Sequence, residues 1–302
     1  MLTHFGLHNL NPEWEASVVC IGTFDGVHRG HQQVISSAVK AARSMELPCT
    51  VVTFDRHPLA TVRPADAPTA ISTLSQRLKW IEDIGVTACV VLPFDREFSE
   101  ISAESFLNDV MVEKLRTSLL FVGHDFACGK NREASAEWLA QRLKTEIVPP
   151  FQEEGRRISS SEIRSLIEAG DVKSAAGLLG RNYELAGTVI SGQKLGRKLG
   201  FPTVNLALTE PVLKPADGVY SGYCETQYGT FKAAISIGTR PAVNGESRTV
   251  EAYLLDYPGH SLYGDAFGLS FGQRLREERD FESLEALTEQ IEKDVVAVRA
   301  AP

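Results

Sequence analysis

The sequence predicts an α/β domain with a doubly wound parallel sheet, followed by a small antiparallel β-barrel domain with a C-terminal helix. Three observations predict it. The 302 residues exceed a typical single domain, so two cores are expected. Up to about residue 183, short apolar runs alternate with segments of helical periodicity, the pattern of βαβ units. After Arg181 the texture changes to β-rich runs broken by Gly and Pro.

In the first half, strands are expected at Val18 to Ile21, Thr50 to Phe54, Ala88 to Leu92, Leu119 to Val122 and Glu146 to Val148. The run Ser17-Val18-Val19-Cys20-Ile21 is continuously apolar after its first residue, as a strand buried on both faces must be. Helices are expected at Gln32 to Met45, Ser75 to Ile84, Ala103 to Lys114 and Ala134 to Leu143. In the first of these, Val34, Ile35, Ala38, Val39 and Ala42 recur on one helical face. The second half offers strands at Gly187 to Ile190, Val219 to Cys224, Phe231 to Ile237, Val250 to Leu255 and Ala266 to Phe271. A helix from Leu284 to Val298 then presents Leu287, Ile291 and Val295 on one face. The domains are set at residues 1–183 and 184–302, with a short, ordered junction near Asn182.

Composition narrows the function classes. The formal net charge of −8 opposes broad nucleic-acid binding, which needs clustered cations. No apolar run approaches the length of a membrane span and no basic leader precedes a hydrophobic segment, so a cytoplasmic protein is expected. The five cysteines are odd in number and widely spaced, which argues for reduced thiols rather than a metal cluster. Neither nucleic acid nor a membrane is expected as a partner, and the oligomeric state stays open.

The most informative stretch is Gly22-Thr23-Phe24-Asp25-Gly26-Val27-His28-Arg29-Gly30-His31. It follows the first buried strand and opens the first helix, which puts His28 and His31 in its first turn, on one face. A helix N-terminus after a glycine-containing turn attracts anions, and two imidazoles add donors for a phosphoryl group. The alternative is a loop with two surface histidines; for Asp25, it is a plain turn residue.

Followed by Gln32, this decapeptide resembles the first motif of the bifunctional riboflavin kinase and FMN adenylyltransferase family, within the wider HxGH nucleotidyltransferases. The resemblance extends along nearly the whole chain. It implies a Rossmann-like nucleotidyltransferase domain making FAD from FMN and ATP, and a β-barrel domain making FMN from riboflavin and ATP. On the nucleotidyltransferase side it assigns ATP to Gly22, Thr23, Phe24, Asp25, His28 and His31. The segment Ile158-Ser159-Ser160-Ser161-Glu162-Ile163-Arg164 resembles the family's ISSTxIR motif, with Ser161 in the Thr position. Ser159, Ser160, Ser161 and Arg164 would then hold the leaving pyrophosphate; a plain helix cap is the alternative. Thr53-Phe54-Asp55-Arg56-His57-Pro58 resembles the flavin-bordering TFxPHP segment, with Arg56 for a proline. Phe54, His57, Pro58 and Asp125, the last in the turn Gly123-His124-Asp125-Phe126, are the implied flavin contacts. Cys128 stands where Phe is usual, and Ala134-Ser135 where Gly-Asp is usual.

The run from Gly187 to Asn205 resembles the riboflavin kinase signature. Gly192, Gly196 and Gly200 would admit phosphate beside Lys194, Arg197 and Lys198. Thr203 and Asn205 lie two apart on an extended segment and offer hard oxygens to Mg²⁺, completed by ATP phosphates. Glu251 matches the family's catalytic Glu, the proton acceptor for the riboflavin hydroxyl, and its alternation with apolar neighbours admits either an inward or a solvent-facing side chain. Further departures are Ser191 for His, Ser236 for Asn and Ala242-Val243 for Thr-Phe. The rival readings are a protein with one working half and a noncatalytic flavin-nucleotide-binding protein.

Overall fold

The computed structural model describes all residues except Asn9, 11–13, 154–155, 193–194 and 243–244. Lys194 and Val243 therefore lie outside the described residues, as do the side chains of Lys198 and Ala242. The chain divides into two compact units, Met1–Ala70 with Leu74–Ser160, and Ile71–Thr73 with Ser161–Pro302.

The first unit is built on strands β1 (Leu2–Phe5), β2 (Ser17–Ile21), β3 (Cys49–Phe54), β4 (Ala88–Leu92), β5 (Thr117–Gly123) and β6 (Thr145–Val148). They form one sheet in the order β1-β4-β3-β2-β5-β6. Every pairing in it is parallel. Residues of β2 to β4 alternate between two apolar layers. Val19, Ile21, Val52, Val90 and Leu92 face one layer, whose far side is Phe106, Leu107, Val110, Met111 and Leu139. Val18, Cys20, Val51, Cys89 and Val91 face the other, covered by Val34, Ile35, Ala38, Val39 and Ala42 of helix α1 (Arg29–Ser44) and Ile81 of α2 (Leu74–Asp83). The edge strand β1, short and exposed at Leu2 and Phe5, is an addition to the predicted set.

Two predicted helices differ from expectation. The stretch Ala103 to Lys114 begins as one α-turn and continues over Phe106–Lys114 as a π-type helix, in which the Leu115 N–H reaches the Val110 carbonyl, five residues back. The stretch from Ala134 starts instead with a two-residue strand, in which Ala134 opposes Cys128. Its helix is confined to Ala136–Ala140, capped by the Ser135 hydroxyl.

In the second unit, α3 (Ser160–Glu168) and α4 (Val172–Leu179) precede the barrel. Gly180, left-handed at φ 75°, ends α4 and turns the chain into the barrel within three residues. The barrel strands are β7 (Tyr183–Ile190), β8 (Thr203–Leu208), β9 (Gly218–Thr226), β10 (Gly229–Ala242), β11 (Gly245–Leu254) and β12 (Ala266–Glu277). They close in the order β7-β8-β11-β10-β9-β12, and every pairing is antiparallel. Inward residues such as Leu185, Val189, Leu206, Ile235, Ile237, Val250, Ala252, Leu269 and Phe271 fill the lumen, each under 9 % exposed.

Helix α5 (Leu284–Ala300) lies against β9 and β10. Leu287, Ile291 and Val295 are half-buried on the predicted face, but its deepest members are Val298 and Asp294. The Asp294 carboxylate accepts from Arg276 Nε at 3.0 Å and Nη2 at 2.8 Å, and from Gln290 Nε2 at 2.8 Å. Removing the carboxylate leaves a largely buried guanidinium without its counter-charge. Asp294→Ala is therefore expected to destabilise the barrel by roughly 3 kcal/mol. Arg276→Met with Asp294→Ala should recover part of that loss, as measured by calorimetric unfolding of the two variants beside the wild-type protein.

Candidate active sites

The first site grows from the sheet's topology. Connections from β2 run outward through β3 to β4, and β5 then returns to the opposite side of β2. In such sheets the crevice at the carboxyl ends of the two strands flanking the reversal is the ligand site. The turn after β2 carries Gly22 to His28 there. Phe24 and Val27 hold left-handed conformations, at φ 49° and 37°, which side chains with a Cβ adopt only under constraint. Gly22 is required, since a Cβ there would lie 2.9 Å from the Phe24 ring.

His28 does not sit inside the first turn of α1; it is the N-cap, and His31 is the third helical residue. His28 Nδ1 accepts from the His31 N–H at 3.3 Å. The two rings stack with centroids 3.6 Å apart and 19° between planes, and Phe24 meets His31 edge-on at 5.3 Å. Gly30 lets the chain pass the His28 ring, which a Cβ would approach to 3.1 Å. The His pair is thus fixed at a helix N-terminus with its N–H groups. Asp25 is buried, and its carbonyl accepts from the Ser160 hydroxyl at 3.4 Å. Ser160 starts α3 with Ser159 before it; Ser161 is exposed and its carbonyl accepts from Ser165 at 3.2 Å, while Arg164 is half-buried. Ser161 and Arg164 belong to the second unit.

The strands on either side of β2 end in the other predicted contacts. After β3, His57 is half-buried and its Nδ1 accepts from the Leu59 N–H at 3.2 Å, with Pro58 leading into the short helix Leu59–Val62. Phe54 is buried in an aromatic cluster with Phe94 and Phe98, at 5.3 and 6.0 Å, and forms wall rather than an open stacking face. Asp55 holds its neighbour Arg56 at 2.7 Å. Burial pushes the Asp55 carboxyl up, but hydrogen bonds from Arg56 and the Phe94 N–H, with the Arg56 charge, bring it net below the ordinary value. After β5, Asp125 is exposed and paired with Arg157 at 2.7 Å. The departing residues Cys128 and Ala134 oppose each other, both buried.

Arg77 on α2 lies outside every motif of the sequence. It is 6 % exposed, and it reaches the turns after both β2 and β3. A cation at the buried phase of an amphipathic helix, four residues before Ile81, is the signal that marks it.

The second site lies on the barrel's outer face. Val250, Ala252 and Leu254 point into the lumen, so Glu251 and Tyr253 point out; of the two phases open for Glu251, the structure has the outward one. Glu251 is nevertheless only 9 % exposed. Two described residues of the connection between β7 and β8 lie against this face: a Cβ on Gly192 would fall 2.3 Å from Asn205 Nδ2, and Phe201 packs edge-on against Tyr253 at 5.4 Å. Gly196 passes so close to the Phe201 carbonyl that a Cβ would lie 2.3 Å from it, while Gly200 is left-handed at φ 88°. Asn205 pairs in register with Glu251, Thr203 lies on the same face, and Thr203 Oγ1 donates to Glu251 Oε2 at 3.2 Å. Ser236 opposes Glu251 on the next strand. Arg197 is exposed. A cleft of about 560 Å³ runs from Asn205 and Ile190 along β8 to Lys214 and Arg248. Beside Arg248, Lys214 has its ammonium pulled below the ordinary value, by burial and then by the neighbouring charge.

A family model for FAD synthetase matches residues 10–162, and one for riboflavin kinase matches residues 179–301. The chain belongs to the bifunctional riboflavin kinase/FMN adenylyltransferase family. It is 36 % identical over 301 residues to the member from Pseudomonas fluorescens, covering 98 % of this chain and 96 % of that one. To the member from Escherichia coli K12 it is 35 % identical over 306 residues, covering 97 % and 96 %. A crystal structure of a protein named macrolide-efflux protein from Streptococcus pneumoniae superposes with a TM-score of 0.90 at 30 % identity, over 99 % of both chains. The shared property there is the fold. Among the described residues no helix is long and apolar enough to cross a membrane.

Because His28 caps α1, its stability role separates from any ligand role. His28→Ala should lower the stability of the first unit by about 1 kcal/mol, whereas His28→Asn, with a better cap acceptor, should restore it. Denaturant unfolding of both variants measures the difference.

Proposed function

We propose that the chain makes FAD in two ATP-dependent steps at two separate sites, with residues 1–183 and 184–302 as its functional domains. The observation that carries this reading is that each unit presents its own constellation suited to phosphoryl chemistry: the stacked His pair at a helix start, and Thr203 and Asn205 beside Glu251 on one patch of the barrel.

In the second unit riboflavin is phosphorylated to FMN. The 5′-hydroxyl oxygen attacks the γ-phosphorus of ATP, the bond to the β-γ bridging oxygen breaks, and ADP leaves. Glu251 takes the hydroxyl proton, which its position at a covered, polar patch suits. Thr203 and Asn205 offer a hydroxyl and an amide oxygen, the hard donors that Mg²⁺ accepts when ATP phosphates complete its shell. The two lie on one face beside Glu251, so they fit such an ion, and among the described residues no group of three or more His, Cys, Asp or Glu offers a rival site. When bound, the ion supplies charge neutralisation on the phosphates. Gly192, Gly196, Arg197 and Gly200 border the ATP phosphates, and the cleft along β8 takes the rest of the nucleotide.

Within residues 1–183 FMN is adenylylated. A phosphate monoester is already a nucleophile near neutral pH, so its oxygen attacks the α-phosphorus of ATP without a base, and pyrophosphate leaves. His28 and His31, with the N–H groups of α1, stabilise the charge on the phosphoryl group. Gly22, Thr23, Phe24 and Asp25 shape the turn; Ser159, Ser160, Ser161 and Arg164 receive the pyrophosphate. His57, Pro58 and Asp125 border the flavin, with Phe54 behind them. A net charge of −8 suits a cytoplasmic enzyme with small-molecule partners.

Incubation with riboflavin, ATP and Mg²⁺ is expected to give FMN first and FAD later, read by separating the three flavins over time. FMN that accumulates with no FAD, even from added FMN, contradicts the two-site reading. His28→Ala with His31→Ala should abolish FAD formation and spare FMN formation. Glu251→Gln should lower kcat for riboflavin phosphorylation by roughly 10²- to 10⁴-fold and leave conversion of FMN to FAD intact. Near-normal kinase turnover in that variant would make Glu251 structural.

A further inference from the structure

We infer that Arg77 is a positioning residue for adenylyl transfer, setting the separation between the ATP-bearing turn after β2 and the flavin-bearing turn after β3. The inference rests on the proposed reading of this site.

Adjacent parallel strands are held in register by ladder hydrogen bonds, but these stop where the strands end. The reacting groups would sit beyond that point, His28 and His31 on one turn and His57 and Pro58 on the next. Arg77 spans the two. Its Nη1 donates to the Thr23 carbonyl at 2.9 Å, to the Phe54 carbonyl at 2.8 Å and to Thr53 Oγ1 at 3.1 Å. Thr53 Oγ1 in turn donates to the Thr23 carbonyl at 3.1 Å. One nitrogen therefore touches a carbonyl on each turn, and the hydroxyl of β3 closes the triangle. Thr53 is fully buried and Arg77 nearly so, and charge-assisted bonds in such surroundings are both strong and costly to break.

The clamped carbonyl of Thr23 immediately precedes Phe24, whose left-handed backbone persists only if neighbours over-determine it. Arg77 supplies that constraint from another element. Little of its side chain is open to solvent, so its effect on the reaction is through the backbone it holds. Loss of such a clamp should change the alignment of two bound substrates more than the binding of either one, and misplacement by about 1 Å can cost 10²-fold in rate.

The test measures FMN adenylylation kinetics in the full-length chain, together with separate dissociation constants for ATP and for FMN. Arg77→Met is expected to lower kcat by roughly 10- to 100-fold while each dissociation constant moves less than about threefold. Arg77→Lys should recover much of the loss, because an ammonium also offers several donors from one nitrogen. A folded Met variant with wild-type kcat overturns the inference. So does a loss that appears wholly as weaker binding, or one that Lys does not rescue. Should the Met variant not fold, Thr53→Val removes the hydroxyl link at nearly constant volume, and kcat should fall by roughly threefold to tenfold with binding retained; an unchanged kcat overturns the inference equally. Wild-type protein run alongside separates the two levels. If it forms no FAD from FMN, the reading of the site fails and the inference falls with it; if it does, a failure belongs to Arg77 alone.

Discussion

Where polar chemistry can sit in this chain is decided by which faces of its strands are buried. The central strands of the first unit are apolar on both sides, since layers of helix cover both faces of the parallel sheet. No side chain in the middle of such a strand can meet a nucleotide. Chemistry is pushed to the carboxyl ends, and there to the strands flanking the point where the connection order reverses. In the barrel one face of every strand fills the lumen, and the other is available where no helix packs on it. Chemistry can then sit mid-strand, provided something covers it from solvent. Glu251 there is only 9 % exposed, and Gly192 and Phe201 lie against its face at Asn205 and Tyr253.

That difference explains what could be read from the sequence. The strands of the parallel sheet are legible because burial on both faces makes them uniformly apolar, and the His pair because it follows such a run at helical spacing. The phase of Glu251 was ambiguous for a physical reason. Alternation in Thr249 to Leu254 separates two faces but does not say which is the core; closure of the barrel through Ala252, Ile235 and Tyr220 decides it. The residues packed on this face at Asn205 and Tyr253, Gly192 and Phe201, come from a distant part of the chain, which no local pattern reports. Strand β1 escaped notice because it is short and exposed. Arg77 was hidden inside a helix whose apolar stripe was easier to see than the cation placed on it.

The departures from the family's motifs also acquire physical content. Cys128 and Ala134 are small residues in direct opposition on one short ribbon, so the two changes share one contact. Ser135 keeps a role as the cap of the following helix, and Arg56 is neutralised by Asp55 at an exposed position, where such a pair contributes little to stability. Ser236 stands opposite Glu251 and retains a hydroxyl there.

The central claim is that one chain holds two nucleotide sites placed by opposite rules, one beyond the strand ends of a parallel sheet and one on the outer wall of a barrel. A crystal structure of the full chain with a nonhydrolysable ATP analogue and Mg²⁺ tests it most directly. One nucleotide is expected with its phosphates against the start of α1 at the carboxyl end of β2, and a second with its phosphates beside Thr203 and Asn205 on the outer wall of the barrel. A single nucleotide serving both units, or density at the amino ends of the sheet or inside the barrel lumen, would contradict it.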